Sequence, residues 1–126
     1  GKSDLALRAI MLPAVDGERR LTAKLVADDQ VLLETRSGAL IACAPSSIGG
    51  KIEVRGMGIV EVEHVPTVPV ALAVLLRSSG TMTRMPEPDE RYALLGHSLP
   101  VLRLDPFEAS APLKLMLRLA RIRPQV

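Results

Sequence analysis

A chain of 126 residues with 48% apolar content is long enough to bury a core of its own and is expected to form one domain. Aromatic residues make up only 2%, so the core must be built from Leu, Val, Ile, Ala and Met, and the composition offers no stacking platform for single-stranded bases. A net charge of +2 suits small anionic ligands but is not the polycation that nucleic acid demands.

The chain opens on Gly1-Lys2-Ser3 and runs into an apolar, helix-like segment over 4–12 that Pro13 stops. Gly-Lys-Ser before a helix has the form of the back half of a phosphate-binding loop. There the backbone N–H groups cradle phosphates, the lysine reaches the β- and γ-phosphates, and the serine hydroxyl binds Mg²⁺. The full pattern is Gly-x-x-x-x-Gly-Lys-Ser/Thr, and its first part and the preceding strand are missing here. The alternative for Lys2 and Ser3 is a solvated chain end.

Asp16-Gly-Glu-Arg-Arg20 reads as a polar turn, and residues 21–27, 31–35 and 39–44 read as short strands, the last two joined as a hairpin at Ser37-Gly38. The first of these strands ends in Asp28-Asp29. Two carboxylates there suit phosphoryl transfer, in which one acid orients the metal and another accepts the proton of the attacking hydroxyl. An Asp-Asp pair is equally a common turn sequence. Cys43 stands alone, so no internal disulfide is available and no Cys/His cluster has zinc spacing.

Residues 51–54 and 57–63 read as strands around Arg55-Gly56-Met57-Gly58. The glycines permit a tight turn or close approach of a ligand. Glu53 and Arg55 place a carboxylate and a guanidinium there, suited to a metal and an anion. The bland alternatives are a solvent-facing Glu53 and an Arg55 that pairs with Asp28 or Glu61.

Val70–Leu76 is a buried strand by its apolar run. The longest such run, from Val68, contains Pro69 and is too short to span a bilayer. With no signal peptide visible, a cytoplasmic protein is expected. Residues 78–91 are polar, Pro-rich and a candidate mobile loop; 92–95 read as a short turn or helix and 99–104 as the last strand. Ser110 is placed to cap a final helix with Pro112 in its first turn, running to about Ile122. Lys114, Arg118 and Arg121 form a stripe on it, either a solvated face or a docking face for an acidic or phosphorylated partner. His64 and His97 are isolated and read as structural or exposed.

Taken together, Gly1-Lys2-Ser3, Leu25-Val-Ala-Asp28-Asp29 and Ile52-Glu-Val-Arg-Gly-Met-Gly-Ile-Val60 resemble the catalytic domain of bacterial HPr kinase/phosphorylase, of the short proteobacterial type. The resemblance covers residues 1–77 well and weakens beyond. It implies an α/β fold with a P-loop and a mixed β-sheet flanked by helices, of the HPr kinase/PEP carboxykinase kind, with 1–126 as a single catalytic domain lacking the first strand or strands and the first part of the loop. It implies ATP and Mg²⁺ as cofactors and the phosphocarrier protein HPr as partner, phosphorylated on a serine in control of carbon metabolism. Inorganic phosphate is the acceptor where the reaction runs in reverse. A homo-oligomer, typically a hexamer, is also implied.

Carried over residue by residue, the resemblance assigns Gly1, Lys2 and Ser3 to the nucleotide, and Ser3 and Glu53 to the metal. Asp29 becomes the general base, Asp28 a support for the metal or for the geometry of the site, and Arg55 a phosphate contact. Two departures bear on the reverse reaction. Leu94, in Tyr92-Ala-Leu-Leu-Gly96, stands where the family carries a catalytic arginine, and Asp105-Pro-Phe-Glu-Ala-Ser110 replaces a Pro-Gly-Arg-type loop. Kinase activity is therefore expected to exceed phosphorolysis. The rival readings are a non-catalytic nucleotide- or phosphate-sensing domain and a small-molecule kinase on the same scaffold.

Overall fold

The computed structural model describes residues 2–12, 14–45, 49–78, 80 and 90–122. Helix α1 (Lys2–Met11) is followed by a small hairpin, β1 (Ala14–Asp16) and β2 (Arg19–Leu21). Next come β3 (Leu32–Arg36), β4 (Ala39–Cys43), β5 (Lys51–Val54), β6 (Gly58–Glu61), β7 (Thr67–Pro69) and β8 (Ala73–Leu76). A hairpin of β9 (Arg91–Leu94) and β10 (His97–Leu104) leads into helix α2 (Ala111–Ala120). The architecture is mixed α/β: β8 runs parallel to β10, and the other strand pairs are antiparallel. Among the described residues the strands group as β1-β2, β3-β4-β7, β5-β6 and β8-β10-β9.

The core lies where the two helices meet the parallel strand pair. On α1, Leu5 and Ala9 are four residues apart and so share one buried face. Leu5 packs with Leu104 and Ala111, and Ala9 with Ala14, Leu21 and Met116. Thus α1 is wedged between α2, the first hairpin and the β8–β10 ladder. This fixes the direction in which its N-terminus points, toward β5, with which α1 is also in contact. Ile52 and Leu104, at 0% and 1% exposure, are the two largest side chains taken fully out of water. Each such burial contributes about 1.5–3 kcal/mol.

Several elements depart from expectation. The segment 21–27 is not a continuous strand. Leu21 ends the first hairpin, and beyond it only Leu25 finds a ladder partner, bridging His64 through Leu25 N to Glu63 O and Val65 N to Leu25 O, both 2.9 Å. Strand preference is realised only where a neighbour supplies a backbone partner. The polar turn at 16–20 is the tip of a hairpin, with β1 and β2 pairing on either side. Residues 92–95 form β9 and the start of its turn rather than a helix. Leu95 and Gly96 carry φ of +50° and +78° and close a two-residue connection, the positive-φ geometry that matches strand twist. Strand β8 takes only the last four residues of the apolar run, and β10 begins two residues earlier than the sequence suggests. Ser110 does not cap α2 with its side chain; its carbonyl accepts from Lys114 N at 2.9 Å, and Pro112 occupies the first turn. Gly1 and most of the 78–91 segment lie outside the described residues.

Candidate functional site

Helix α1 begins at Lys2, so Lys2 and Ser3 stand at its positive end. Asp28 reaches this end by way of the Leu25–His64 bridge, which lays the segment before the two aspartates alongside 63–65. The Ser3 hydroxyl donates to Asp28 Oδ1 at 2.7 Å, and Glu53 N, on β5, donates to Asp28 Oδ2 at 3.2 Å. One carboxylate therefore joins three segments that are 25 residues apart in sequence at each step. Lys2 Nζ lies 2.9 Å from Asp29 Oδ1, in a pair that stays 61% and 66% exposed. Hydrogen bonding to Asp29, followed by its charge, holds the Lys2 ammonium above the usual lysine range.

The β5–β6 turn supplies the opposite wall. Met57 N donates to Val54 O at 3.0 Å, and Gly56 in the third position of this turn has φ of +86°, a conformation that Gly adopts without strain. The turn carries Arg55 to the cleft, where among the described residues it has no partner, neither Asp28 nor Glu61. The hairpin is locked to its support at Gly50. That residue has φ of +76°, and a Cβ there would stand 2.5 Å from His64 Nδ1. Val62 N closes the same place with a 2.9 Å bond to Gly50 O.

Lys2, Ser3, Asp29, Glu53 and Arg55 all line one open cleft of about 770 Å³, a volume in the range of small-molecule sites. Asp28 supports it from behind through its bonds to Ser3 and Glu53. Cationic groups and a helix N-terminus facing hydroxyl and carboxylate oxygens can bind an anion and take up a proton beside it. The oxygen donors Ser3, Asp28, Asp29 and Glu53 are also the hard ligands that Mg²⁺ prefers, so the residues present fit that ion. Among the described residues no group of three or more His, Cys, Asp or Glu is gathered closely enough to form a metal cage by itself. That is the usual situation for Mg²⁺, which takes few protein ligands beside phosphate and water.

Other candidates lie elsewhere. His97 Nε2 meets Thr35 Oγ1 at 2.9 Å between two hairpins, and His64 packs on Gly50. Lys114 pairs with Glu108 at 2.7 Å and Arg121 with Asp16 at 3.6 Å, so two members of the α2 stripe already have surface partners. A separate recess of about 190 Å³ between the helices is lined by apolar residues, Ala9, Leu12 and Met116 among them, and offers no group for chemistry.

No family model and no curated protein matches the chain. Among solved structures, the HPr(Ser) kinase/phosphatase from Coxiella burnetii is similar, with a TM-score of 0.73 and 26% sequence identity over 96% of this chain and 76% of that one. The fold is that of an HPr kinase catalytic domain. That structural neighbour is an enzyme of phosphoryl transfer.

Sequence reasoning missed two residues of the cleft region. Phe107 projects into the cleft at 80% exposure, and Arg8 ties α1 to the loop that carries it. The signal for Phe107 was its isolation, an only phenylalanine in a short polar loop between strand and helix. For Arg8 it was the i, i+4 spacing from Asp4.

Proposed function

We propose that this chain is the catalytic unit of an ATP- and Mg²⁺-dependent serine kinase that phosphorylates the phosphocarrier protein HPr in the cytoplasm, with residues 1–126 acting as one such unit within a homo-oligomer. The observation that carries the reading is the gathering of Lys2, Ser3, Asp29, Glu53 and Arg55 around one cleft, although they span more than fifty positions of sequence. The likeness to an HPr(Ser) kinase/phosphatase supports the choice of acceptor.

In this reading the ATP phosphates lie at the N-terminus of α1, with the Lys2 ammonium against their oxygens. Asp29 exchanges its lysine partner for the acceptor serine. It takes the hydroxyl proton as the serine oxygen bonds to the γ-phosphorus and the bond to the β-phosphate oxygen breaks, leaving ADP. Asp28, held by Ser3 and by Glu53 N, keeps the helix end and β5 in register. Arg55, without a protein partner among the described residues, faces charge that spreads over the transferring group. Ser3 and Glu53 would hold Mg²⁺, which when bound neutralises the β- and γ-oxygens.

Phosphate-dependent dephosphorylation is weaker in this proposal. Leu94 and the Asp105–Ser110 loop offer no cation for inorganic phosphate, and the neighbouring arginines are engaged. Arg91 donates to Ser98 Oγ and O, at 3.0 and 2.9 Å, and Arg103 to Glu90. The alternative of a nucleotide sensor draws on the Lys2–Asp29 pair, which occupies the base and the lysine with each other.

The test is incubation of the intact protein with ATP, Mg²⁺ and HPr. Phosphoserine in HPr supports the kinase; nucleotide binding without transfer to HPr leaves the sensor; phosphorylation of small molecules alone selects the third reading.

A further inference from the structure

The chain is poor in aromatic residues, yet it places its single phenylalanine in the cleft. Phe107 is 80% exposed, the most exposed of the large apolar side chains in the described residues, and it lines the same space as Lys2, Ser3 and Leu7. Exposed apolar residues are common, but this one is held in place by a built support. Asp105, only 8% exposed, accepts from Phe107 N at 2.9 Å and so shapes the turn. Glu108 N closes it with a 3.2 Å bond to Asp105 O. Arg8 of α1 then donates to Glu108 O at 3.0 Å and to Pro106 O, while Asp4 holds the same guanidinium at 3.0 Å. The residues on either side of Phe107 are thus tied to the helix that starts at Lys2. The loop backbone that carries the ring is thereby anchored to the same helix that carries the lysine.

We propose that Phe107 is a specificity residue that stacks on the nucleobase of the nucleoside triphosphate whose phosphates lie at Lys2 and Ser3. The inference rests on the nucleotide reading of the cleft and adds a base contact to it. A phenyl ring has no hydrogen-bonding group, so what it offers a ligand is a flat π-face and apolar area. The rest of the cleft is mainly charged groups and glycine, with Leu7 and Val54 as its aliphatic members, and Phe107 is the one aromatic side chain among the described residues that line it. The part of a nucleotide that matches a π-face is the base. The volume of about 770 Å³ leaves room for the base as well as the phosphates. Helix α1 sets the span between ring and lysine, so the phosphates and the base are measured against the same ruler.

The experiment compares binding of Mg-ATP and Mg-tripolyphosphate to the intact protein by calorimetry. Phe107→Ala is expected to weaken ATP about 10- to 100-fold and to leave tripolyphosphate unchanged. Phe107→Tyr should restore ATP affinity, and Phe107→Leu, which keeps apolar area without the π-face, should fall between. Because the ring is exposed, the melting temperature of the alanine variant should match the parent, which separates lost stacking from lost folding. The chain has no tryptophan; Phe107→Trp therefore creates a single tryptophan, excited selectively over Tyr92, whose emission ATP should quench and tripolyphosphate should not. Equal ATP affinity in parent and Phe107→Ala overturns the inference while leaving the kinase reading intact. So does a change confined to KM for the protein acceptor, which would assign the ring to acceptor docking. Failure of the parent to bind either ligand sinks the kinase reading and this inference together.

Discussion

The β5–β6 and β9–β10 hairpins are built alike, each a short antiparallel pair closed by a turn with glycine at positive φ, and each carries arginine. They differ in what the arginines touch. Arg55 lines the cleft without a partner among the described residues. Arg91 grips Ser98 across its own hairpin, and Arg103 is forked onto Glu90 through Nε, 3.1 Å from both carboxylate oxygens. A cation with its hydrogen bonds already made serves architecture, while one left open at a cleft is available to an incoming anion. Counting arginines in the sequence cannot tell these apart, because the distinction lies in pairing across strands.

The comparison can be broken most decisively at a carboxylate that lines the same cleft as Arg55. Asp29→Asn removes a proton acceptor and is expected to lower the rate of HPr phosphorylation by about 10²- to 10⁴-fold, with little change in melting temperature because the side chain is exposed. A steady-state assay with HPr and ATP checks this; a variant within a few-fold of the parent would take the base assignment away from Asp29. Next in size, Arg55→Ala should cost about 10²- to 10³-fold in kcat, as expected for loss of a group that stabilises transition-state charge. Arg91→Ala and Arg103→Ala should stay near the parental rate. Equal losses in all three would erase the distinction between the hairpins.

The ground beneath the open arginine gives the third effect. Ile52→Ala empties the best-buried position of β5 and should destabilise the fold by about 2–5 kcal/mol in a denaturant titration, with activity per folded molecule falling too because β5 carries Glu53 and leads into Arg55. The smallest effect is a matter of pH. Hydrogen bonding to Arg103 holds the Glu90 carboxyl below its ordinary range. A lowered folded value means that the contribution is present above the unfolded carboxylate range and is lost as pH falls through the folded value. Melting temperatures measured downward from about pH 6 should decline slightly less steeply in Glu90→Gln than in the parent, since an amide has no charge to lose.

What could be read from the sequence divides along the same lines. Helix α1, the Ser37-Gly38 hairpin, β5 and α2 follow from periodicity, turn chemistry and proline placement, all local signals. The missed β9 depends on Leu95 at φ +50°, a residue with no turn preference, held there because β10 pairs across it. The failed strand at 21–27 had the right composition but lacked a partner beyond Leu25. For the cleft, spacing alone could propose Lys2, Asp28, Asp29 and Glu53 as chemically able groups. Their shared location came from the family resemblance, since nothing in residue order says that Glu53 N will meet Asp28. Phe107 escaped because composition was weighed as a total, and a total says nothing about where one ring is placed.

The ion pair between Lys2 and Asp29 has a consequence for how the protein would respond to its surroundings. With a counter-ion built into the fold, the ammonium need not recruit one from solution, and a phosphate that arrives trades places with a carboxylate instead of displacing dissolved salt. On the nucleotide reading, binding should therefore vary with ionic strength less than the number of charges at the cleft suggests. The carboxylate set loose in the exchange is Asp29 itself, so the arrival of the nucleotide would be the event that arms the base.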